Sequence, residues 1–324
     1  GKVYVGGVTS GQTSVPASAA NNSAMNAYVY SFDVAGSTFS GPVLTFPLSH
    51  ARGTNSDGIN ESWRPWTNAF SPSTLGSGTS YRGGLPQPMF TDIEFDATGS
   101  VLIGFRDRFG DQSGYQNNNL AGTLLISGFS YGDTYRGKVD CSGTWAIENN
   151  GTVNGITTAG AGNGQGQGGG EYYYQDNIST YQINNGLGGI TQLMGDIDVV
   201  TSIADPINIW SQGVSKMRYT NGTNSNDYQM EITSQGGTNV DGTFGKANGM
   251  GDVELILDNA PIEIGNRVWN DVNGDGIQEA GEAGISGVAV LLYSNGPNGI
   301  AGDLDDVQVG STNTNTNGEY YFTT

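Results

Sequence analysis

Residues 264–293 read IGNRVWNDVNGDGIQEAGEAGISGVAVLLY, and a twelve-residue loop, DVNGDGIQEAGE, lies at the centre of this stretch at residues 271–282. The loop matches, at every defined position, the calcium-binding pattern D-x-[DN]-x-[DN]-G-x₅-E. In such a loop, oxygen atoms at alternate positions surround the cation, and the glycine at the sixth position permits a sharp turn. The sequence therefore predicts one bound Ca²⁺ at residues 271–282.

The positions in the pattern assign a role to each ligand. The predicted ligands are the side chains of Asp271, Asn273 and Asp275, the backbone carbonyl of Ile277, Glu279 directly or through water, and both carboxylate oxygens of Glu282. Four carboxylates around one point repel one another, so a divalent cation is expected to hold them together.

The segments that flank the loop are typical of strands. Residues 264–269 and 288–293 are rich in β-branched and aromatic side chains. A sensor loop of this kind works by reorienting two flanking helices. Because no helix is predicted on either side, we expect a structural calcium rather than a switch.

The stretch 264–293 and the later NTNGEYYF at residues 315–322 closely resemble the SdrD B-like domain. The resemblance extends over residues 262–324. It implies a prealbumin- or Ig-like β-sandwich that is stabilised by calcium through the six residues named above. It also implies a stalk repeat of bacterial surface proteins. Such domains are longer than this segment, so we expect it to be the N-terminal part of one.

A domain boundary is predicted near Ala260 and Pro261, which gives one domain at residues 1–260 and a second at 261–324. The linker between them is very short, so we expect the two domains to lie rigidly against each other. The second segment is strongly acidic, with nine acidic residues and one basic residue, Arg267.

The composition of the whole chain indicates an all-β protein. Glycine accounts for 53 of 324 residues, and each glycine costs about 1 kcal/mol inside a helix. A helical bundle and a coiled coil are therefore excluded. The chain contains 16 Tyr, 11 Phe and 5 Trp, which is more aromatic than a disordered chain.

The first domain shows several turn signals between strand-like runs. Segments ending in Asn-Gly or Asp-x-x-Gly occur at residues 33–36, 96–99, 148–151 and 183–186, and these residues favour hairpin turns. Their spacing favours a β-propeller-like domain, with a β-sandwich as the alternative. Residues 87–258 also resemble, more weakly, a propeller-like region found before SdrD B-like domains in large bacterial exported proteins.

The charge and the cysteine content of the chain exclude some classes of binding partner and of cross-link. The formal net charge is −19, which disfavours nucleic acid and anionic membrane surfaces. The single cysteine, Cys141, excludes an intrachain disulfide. The first residues show no signal-peptide pattern, so we expect a segment of a longer polypeptide.

Other candidate sites are weaker. Asp303, Asp305 and Asp306 are either a second calcium site or a solvated acidic loop. His50 is the only histidine and has no nucleophile motif around it, so we expect no catalytic site and no enzyme. Aromatic residues in and beside two long insertions could stack on sugars or cover the core: Trp63, Trp66, Tyr81 and Tyr172, Tyr173 and Tyr174.

These observations predict a non-enzymatic, extracellular or cell-surface segment of a bacterial protein, with a structural or adhesive role and Ca²⁺ as its cofactor. The expected partners are other domains of the same long polypeptide. One alternative is a glycan-binding or glycan-hydrolysing first domain. Another is self-association into a filament or surface layer, in which a neighbouring chain completes the second domain.

Overall fold

A computed structural model describes most of the chain. The described residues are 2–12, 22–67, 80–96, 98–119, 121–140, 143–177, 182–193, 196–232, 234–235, 238–239, 245–247, 249–255, 264–294, 302 and 305–322. The predicted boundary at 260–261 lies outside them.

Nearly all regular structure in the described residues is β-strand. The strands of the first domain are β1 (Lys2–Val8), β2 (Asn26–Asp33), β3 (Thr38–Pro47), β4 (Ser80–Gly83), β5 (Pro88–Phe95), β6 (Val101–Asp107), β7 (Asn117–Asn118), β8 (Leu125–Gly128), β9 (Asp133–Val139), β10 (Trp145–Ile147), β11 (Thr152–Val153), β12 (Ile156–Thr157), β13 (Gly186–Thr191), β14 (Asp198–Ala204), β15 (Ser211–Arg218), β16 (Asn224–Ile232), β17 (Ser234–Gln235) and β18 (Thr238–Asn239). One short helix, α1 (Arg108–Ser113), follows β6, and a 3₁₀ turn covers Gln167–Gly169.

Three antiparallel sheets form the body of the first domain. Their strand orders are β1-β2-β3, β10-β9-β6-β5 and β13-β14-β15-β16. The strand β6 lies in the middle sheet and is buried at almost every position, so it contacts a layer on each side. Val101, Ile103 and Phe105 pack in one apolar cluster with residues of β2 and β3. Leu102 points to a second cluster with Ile190 and residues of β14 and β15.

The prediction of an all-β fold is confirmed, whereas the propeller is not. Successive sheets pack face to face. This arrangement occurs both between the blades of a β-propeller and between the two sheets of a β-sandwich. The strands of the described residues do not close into a ring.

Glycines set the spacing between the second and third sheets. A Cβ on Gly104 would lie 2.3 Å from the carbonyl oxygen of Gly188. A Cβ on Gly132 would lie 2.1 Å from the carbonyl oxygen of Gly186 and 2.3 Å from that of Phe105. Because these neighbours are backbone atoms, no side chain fits where β6 and the start of β9 meet β13.

Three of the four predicted turns are confirmed. Residues 33–36 connect β2 to β3, and residues 96–99 connect β5 to β6. At residues 148–151, Asn149 and Thr152 exchange two backbone hydrogen bonds at 3.2 and 3.1 Å around Asn150 and Gly151, which are both at positive φ. The strands on either side of this turn do not pair with each other, because β10 pairs with β9, and β11 pairs with β12. The fourth predicted turn, at residues 183–186, ends where β13 begins, and β13 pairs with β14.

The second domain contains four described strands in two pairs. They are β19 (Ile264–Arg267), β20 (Ala289–Ser294), β21 (Val307–Asn313) and β22 (Glu319–Phe322). β19 pairs with β22, and β20 pairs with β21, both antiparallel. The strands predicted on either side of the twelve-residue loop are confirmed. The predicted turn before the last strand is also present, with the side-chain oxygen of Asn315 accepting from the N–H groups of Asn317 and Glu319 at 2.8 and 3.0 Å.

Candidate metal centre

The predicted calcium loop is a closed loop between β19 and β20. Trp269 pairs with Gly284 in an isolated antiparallel bridge, and the N–H of Asn270 donates to the carbonyl of Ala283 at 2.9 Å. These contacts fix the two ends of the loop next to each other. No helix flanks it, as the sequence predicted.

Asp271 organises the first half of the loop. Its carboxylate accepts hydrogen bonds from the N–H groups of Gly274 at 2.7 Å, Asp275 at 3.2 Å and Gly276 at 2.8 Å. Gly274 and Gly276 have φ of +73° and +74°, a conformation that glycine adopts at little cost. The backbone therefore turns around the Asp271 carboxylate.

Asn273 connects two of the predicted acidic ligands. Its side-chain N–H₂ group donates to Oδ2 of Asp275 at 3.1 Å and to Oε2 of Glu279 at 3.2 Å. The other oxygen of Asp275 accepts from the N–H of Ile277 at 2.8 Å. Ligand positions 3, 5 and 9 of the loop therefore converge in space.

Glu282 closes the second half of the loop. The residue is 6% exposed, and its Oε1 and Oε2 accept from the N–H groups of Val272 at 3.1 Å and Glu279 at 3.0 Å. A buried carboxylate needs such donors or a cation to offset its lost hydration. The contacts hold the bidentate ligand of the pattern at the loop's inner side.

The donor set fits a hard cation such as Ca²⁺, which binds carboxylate, amide and carbonyl oxygens. The Asn273 N–H₂ group lies between two carboxylates, a position of negative potential of the kind that a cation prefers. Nowhere in the described parts of the chain are three Asp, Glu, His or Cys side chains already gathered as a metal cluster. Cation binding would therefore require the loop's carboxylates to come closer together, and each carboxylate has acceptor sites enough to keep its backbone hydrogen bonds.

Comparison with known proteins places this segment in a family. Residues 262–324 match the SdrD B-like domain. The sequence resemblance in this segment is thereby confirmed, and it covers the twelve-residue loop and all four strands of the second domain.

The similarity to known proteins extends beyond the SdrD B-like domain. The chain is 33% identical over 306 residues to Colossin-A of Dictyostelium discoideum, which covers 91% of this chain and 2% of that protein. It is 30% identical over 304 residues to Colossin-C of the same organism, covering 90% of this chain and 27% of that protein. It is 28% identical over 211 residues to serine-aspartate repeat-containing protein D of Staphylococcus aureus strain Newman, covering 55% of this chain and 15% of that protein.

The chain spans between 2% and 27% of the length of these three relatives. None of the three names denotes a catalytic activity. Because relatives occur in Dictyostelium and in a bacterium, the predicted bacterial origin is not confirmed. No solved structure matches the chain.

The second calcium candidate in the SdrD B-like domain is described only in part. Asp303 lies outside the described residues. Asp306 accepts from the N–H of Gly302 at 2.6 Å, and both Asp305 and Asp306 are half-buried. A second site at these three residues stays a prediction.

The aromatic residues predicted as sugar-stacking candidates are mostly buried. Trp63, Tyr172 and Tyr173 are at most 2% exposed, so they cover the core. Trp66 is half-buried, donates to the Pro88 carbonyl at 2.8 Å and stacks against the Arg108 guanidinium. The side chain of Tyr81 lies outside the description, and Tyr174 is half-buried.

His50 is part of a structural hydrogen-bond network. Its Nε2 lies 2.9 Å from the Tyr135 hydroxyl, and its Nδ1 lies 2.9 Å from the side-chain nitrogen of Gln167. Burial lowers the pKa of His50 to about 4, so the ring is neutral at physiological pH. No helix of the described residues is both long and apolar enough to cross a membrane.

Sequence reasoning missed three buried ion pairs among the described residues of the first domain, one of which joins Lys246 and Asp205. Arg52 contacts Asp133 at 3.0 Å, and its guanidinium lies 3.7 Å from the centre of the Trp63 ring. Arg136 forms an ion pair with Asp96, and both side chains are at most 1% exposed. The partners are 40 to 81 residues apart, so no local pattern reveals them.

The raised pKa values of three further buried carboxyl groups predict how the unfolding free energy of the first domain depends on pH. Burial raises the pKa of Glu148 to about 8 and those of Glu61 and Asp107 to about 7. As pH rises from about 4.5, these groups lose their protons in the unfolded chain first, so the folded state binds more protons. The unfolding free energy of the first domain is therefore expected to fall between about pH 5 and about pH 8.

Urea unfolding at several pH values, with saturating calcium and constant ionic strength, measures this slope. Glu148→Gln imitates the protonated carboxyl and should make the decline shallower. A midpoint that rises steadily across the same range would contradict the assignment of these raised pKa values.

Proposed function

We propose that this chain is a calcium-stabilised structural or adhesive segment of a longer extracellular or cell-surface protein. In this proposal the all-β first domain is displayed on a stalk that begins with the SdrD B-like domain. The observation that carries it is the twelve-residue loop, whose carboxylates and glycines already adopt the turn that the calcium pattern requires.

Bound calcium would neutralise charge and join the two halves of the loop. Asp271, Asn273, Asp275 and the Ile277 carbonyl would supply oxygens from the first half, and Glu279 and Glu282 from the second. At a calcium concentration 100 times the Kd, this adds about 2.7 kcal/mol to the free energy of unfolding. That is a large share of a typical stability of about 5–15 kcal/mol.

The proposed partners are further strands or domains of the same long polypeptide. Strands β20 and β21 leave Leu291, Tyr293, Val307 and Val309 between 48% and 59% exposed. Apolar side chains exposed in this number on one pair of strands are normally covered. The much greater length of the relatives supports coverage by neighbouring polypeptide rather than by a ligand.

Calorimetric titration of the 324-residue chain with CaCl₂ tests the proposed site. We expect binding at the loop, and at least about tenfold weaker binding in Asp271→Ala, a loss of about 1.4 kcal/mol. The variant removes one ligand and the acceptor for three backbone N–H groups. Asp252→Asn, a loss of one negative charge at an exposed residue of the first domain, is the matched control and should bind as the parent does.

The absence of calcium binding by the parent chain at millimolar calcium would contradict the proposal. So would equal affinity of the parent and the Asp271→Ala variant. Secretion and surface display are tested separately, by locating the full-length protein on intact cells with an antibody against the first domain.

A further inference from the structure

The calcium loop contacts the first domain directly. Nζ of Lys2, at the start of β1, lies 2.6 Å from Oε1 of Glu279. The other oxygen of the same carboxylate, Oε2, accepts from the Asn273 side chain inside the loop. One carboxylate therefore faces the loop interior with one oxygen and the first domain with the other.

Close packing reinforces this contact. Ala280 packs against the apolar cluster that contains Val139 and Trp145 of the first domain. Gly281, with φ +94°, approaches the end of β9 so closely that a Cβ would lie 2.3 Å from the Asp140 carbonyl oxygen. Residues 279–281 are thus a docking segment as well as part of the ligand loop.

A cleft of about 340 Å³ lies beside the docking segment. Tyr4 and Phe95 of the first domain line one part of it, and Arg267 and Ile277 of the SdrD B-like domain line another. A second contact between the domains lies at the turn 315–318, where the side-chain nitrogen of Asn317 is 3.4 Å from the Tyr219 hydroxyl. The two domains therefore meet at more than one point.

We infer that cation binding to the loop and docking of the SdrD B-like domain on the first domain are thermodynamically coupled, with Lys2 and Glu279 as the connecting pair. This inference rests on the proposed function. A cation that fixes Glu279 and Glu282 also fixes the docking segment between them, so it lowers the cost of docking. By reciprocity, docking raises the cation affinity by the same factor.

The charges of the site support this arrangement. Four carboxylates and one divalent cation leave two negative charges, so a lysine at the outer oxygen of Glu279 remains favourable after the cation binds. The inference thus assigns Lys2 a positioning role: it holds Glu279 from outside while the cation is held from inside.

Charge reversal at Lys2 distinguishes coupling from simple local electrostatics. Lys2→Glu replaces a positive charge near the loop with a negative one, a change of two charge units that by electrostatics alone would tighten calcium binding. Coupling predicts the opposite, because Lys2→Glu repels Glu279 and weakens docking. We expect calcium affinity to fall about fivefold or more. Lys2 is 41% exposed at its side chain, so the substitution should not prevent folding.

Calorimetry on the 324-residue chain measures the affinity, and hydrogen exchange at β1 and β9 measures docking. Calcium should slow exchange there in the parent chain and not in Lys2→Glu. Lys216→Glu makes the same charge change at a pair with Asp196, at 4.0 Å in the first domain, and should leave calcium affinity unchanged. Equal or tighter binding by Lys2→Glu overturns the coupling alone, whereas no binding by the parent chain overturns the proposed function and the coupling together.

Discussion

Replacing Arg136 with alanine is expected to lower the unfolding free energy of the first domain by about 3–5 kcal/mol, because it leaves a buried charge without its partner. The Arg136 guanidinium donates to Asp96, to the Tyr172 hydroxyl at 2.7 Å and to the Tyr219 carbonyl at 2.8 Å. It therefore links the turn after β5 to the third sheet. Ser100 is a further acceptor at 3.2 Å.

A double-mutant cycle in urea tests this result. Asp96→Ala alone should be similarly destabilising, and the double variant should cost much less than the sum of the two. Arg218→Ala is the matched surface control, since Arg218 is 45% exposed and lies 3.7 Å from Asp198. It should cost no more than about 1 kcal/mol. Equal effects at Arg136 and Arg218 would show that the buried network does not stabilise the fold.

Gly132→Ala is expected to destabilise the first domain by about 3 kcal/mol, the upper end for overpacking in a core. The added methyl group would meet the carbonyl oxygens of Gly186 and Phe105 at 2.1 and 2.3 Å. Gly132 also forms an antiparallel bridge with Gly186. Because both neighbours are backbone atoms in sheets, the methyl group can be accommodated only if β13 moves away from the middle sheet.

Gly7→Ala is the matched control. Gly7 lies in the strand β1, and no atom lies within 4 Å of a Cβ added to it. Thermal unfolding should show a clear fall in the melting temperature for Gly132→Ala and little change for Gly7→Ala. If both variants melt with the parent chain, the glycine contact does not set the sheet spacing.

Local chemistry made the second domain predictable. The loop at residues 271–282 has the required residue type at each defined position of the calcium pattern, and its flanking strands have a clear β pattern. Asp and Gly at residues 33–36 and 96–99 likewise define turns through their own backbone preferences. In these segments the residues that determine the structure are close in sequence, so the sequence alone predicts the local fold.

The first domain was less predictable because its determining contacts are distant in sequence. The Gly132 contact with Gly186 and the Arg136 pair with Asp96 depend on how the sheets stack. The strands beside the turn at Asn150 show the same limit, because the turn forms locally as predicted but β10 pairs with β9 and β11 pairs with β12. Hairpin spacing alone could not distinguish a closed ring of blades from the stacked sheets observed here.

The contact between the two domains was predictable in one respect and unpredictable in another. A short linker predicted that the domains lie against each other. The sequence did not predict that the twelve-residue loop itself forms the contact, since nothing local connects Lys2 with Glu279. This pairing gives the loop a role beyond the stability of its own domain, and it makes the occupancy of the loop the central question.

Anomalous X-ray scattering from crystals of the 324-residue chain grown with calcium tests the central claim most directly. The account predicts one strong anomalous peak within the loop, surrounded by oxygens of Asp271, Asn273, Asp275, Ile277, Glu279 and Glu282, with Lys2 still beside Glu279. A well-ordered loop without an anomalous peak at millimolar calcium, its carboxylates bonded only to the backbone and to water, would contradict it.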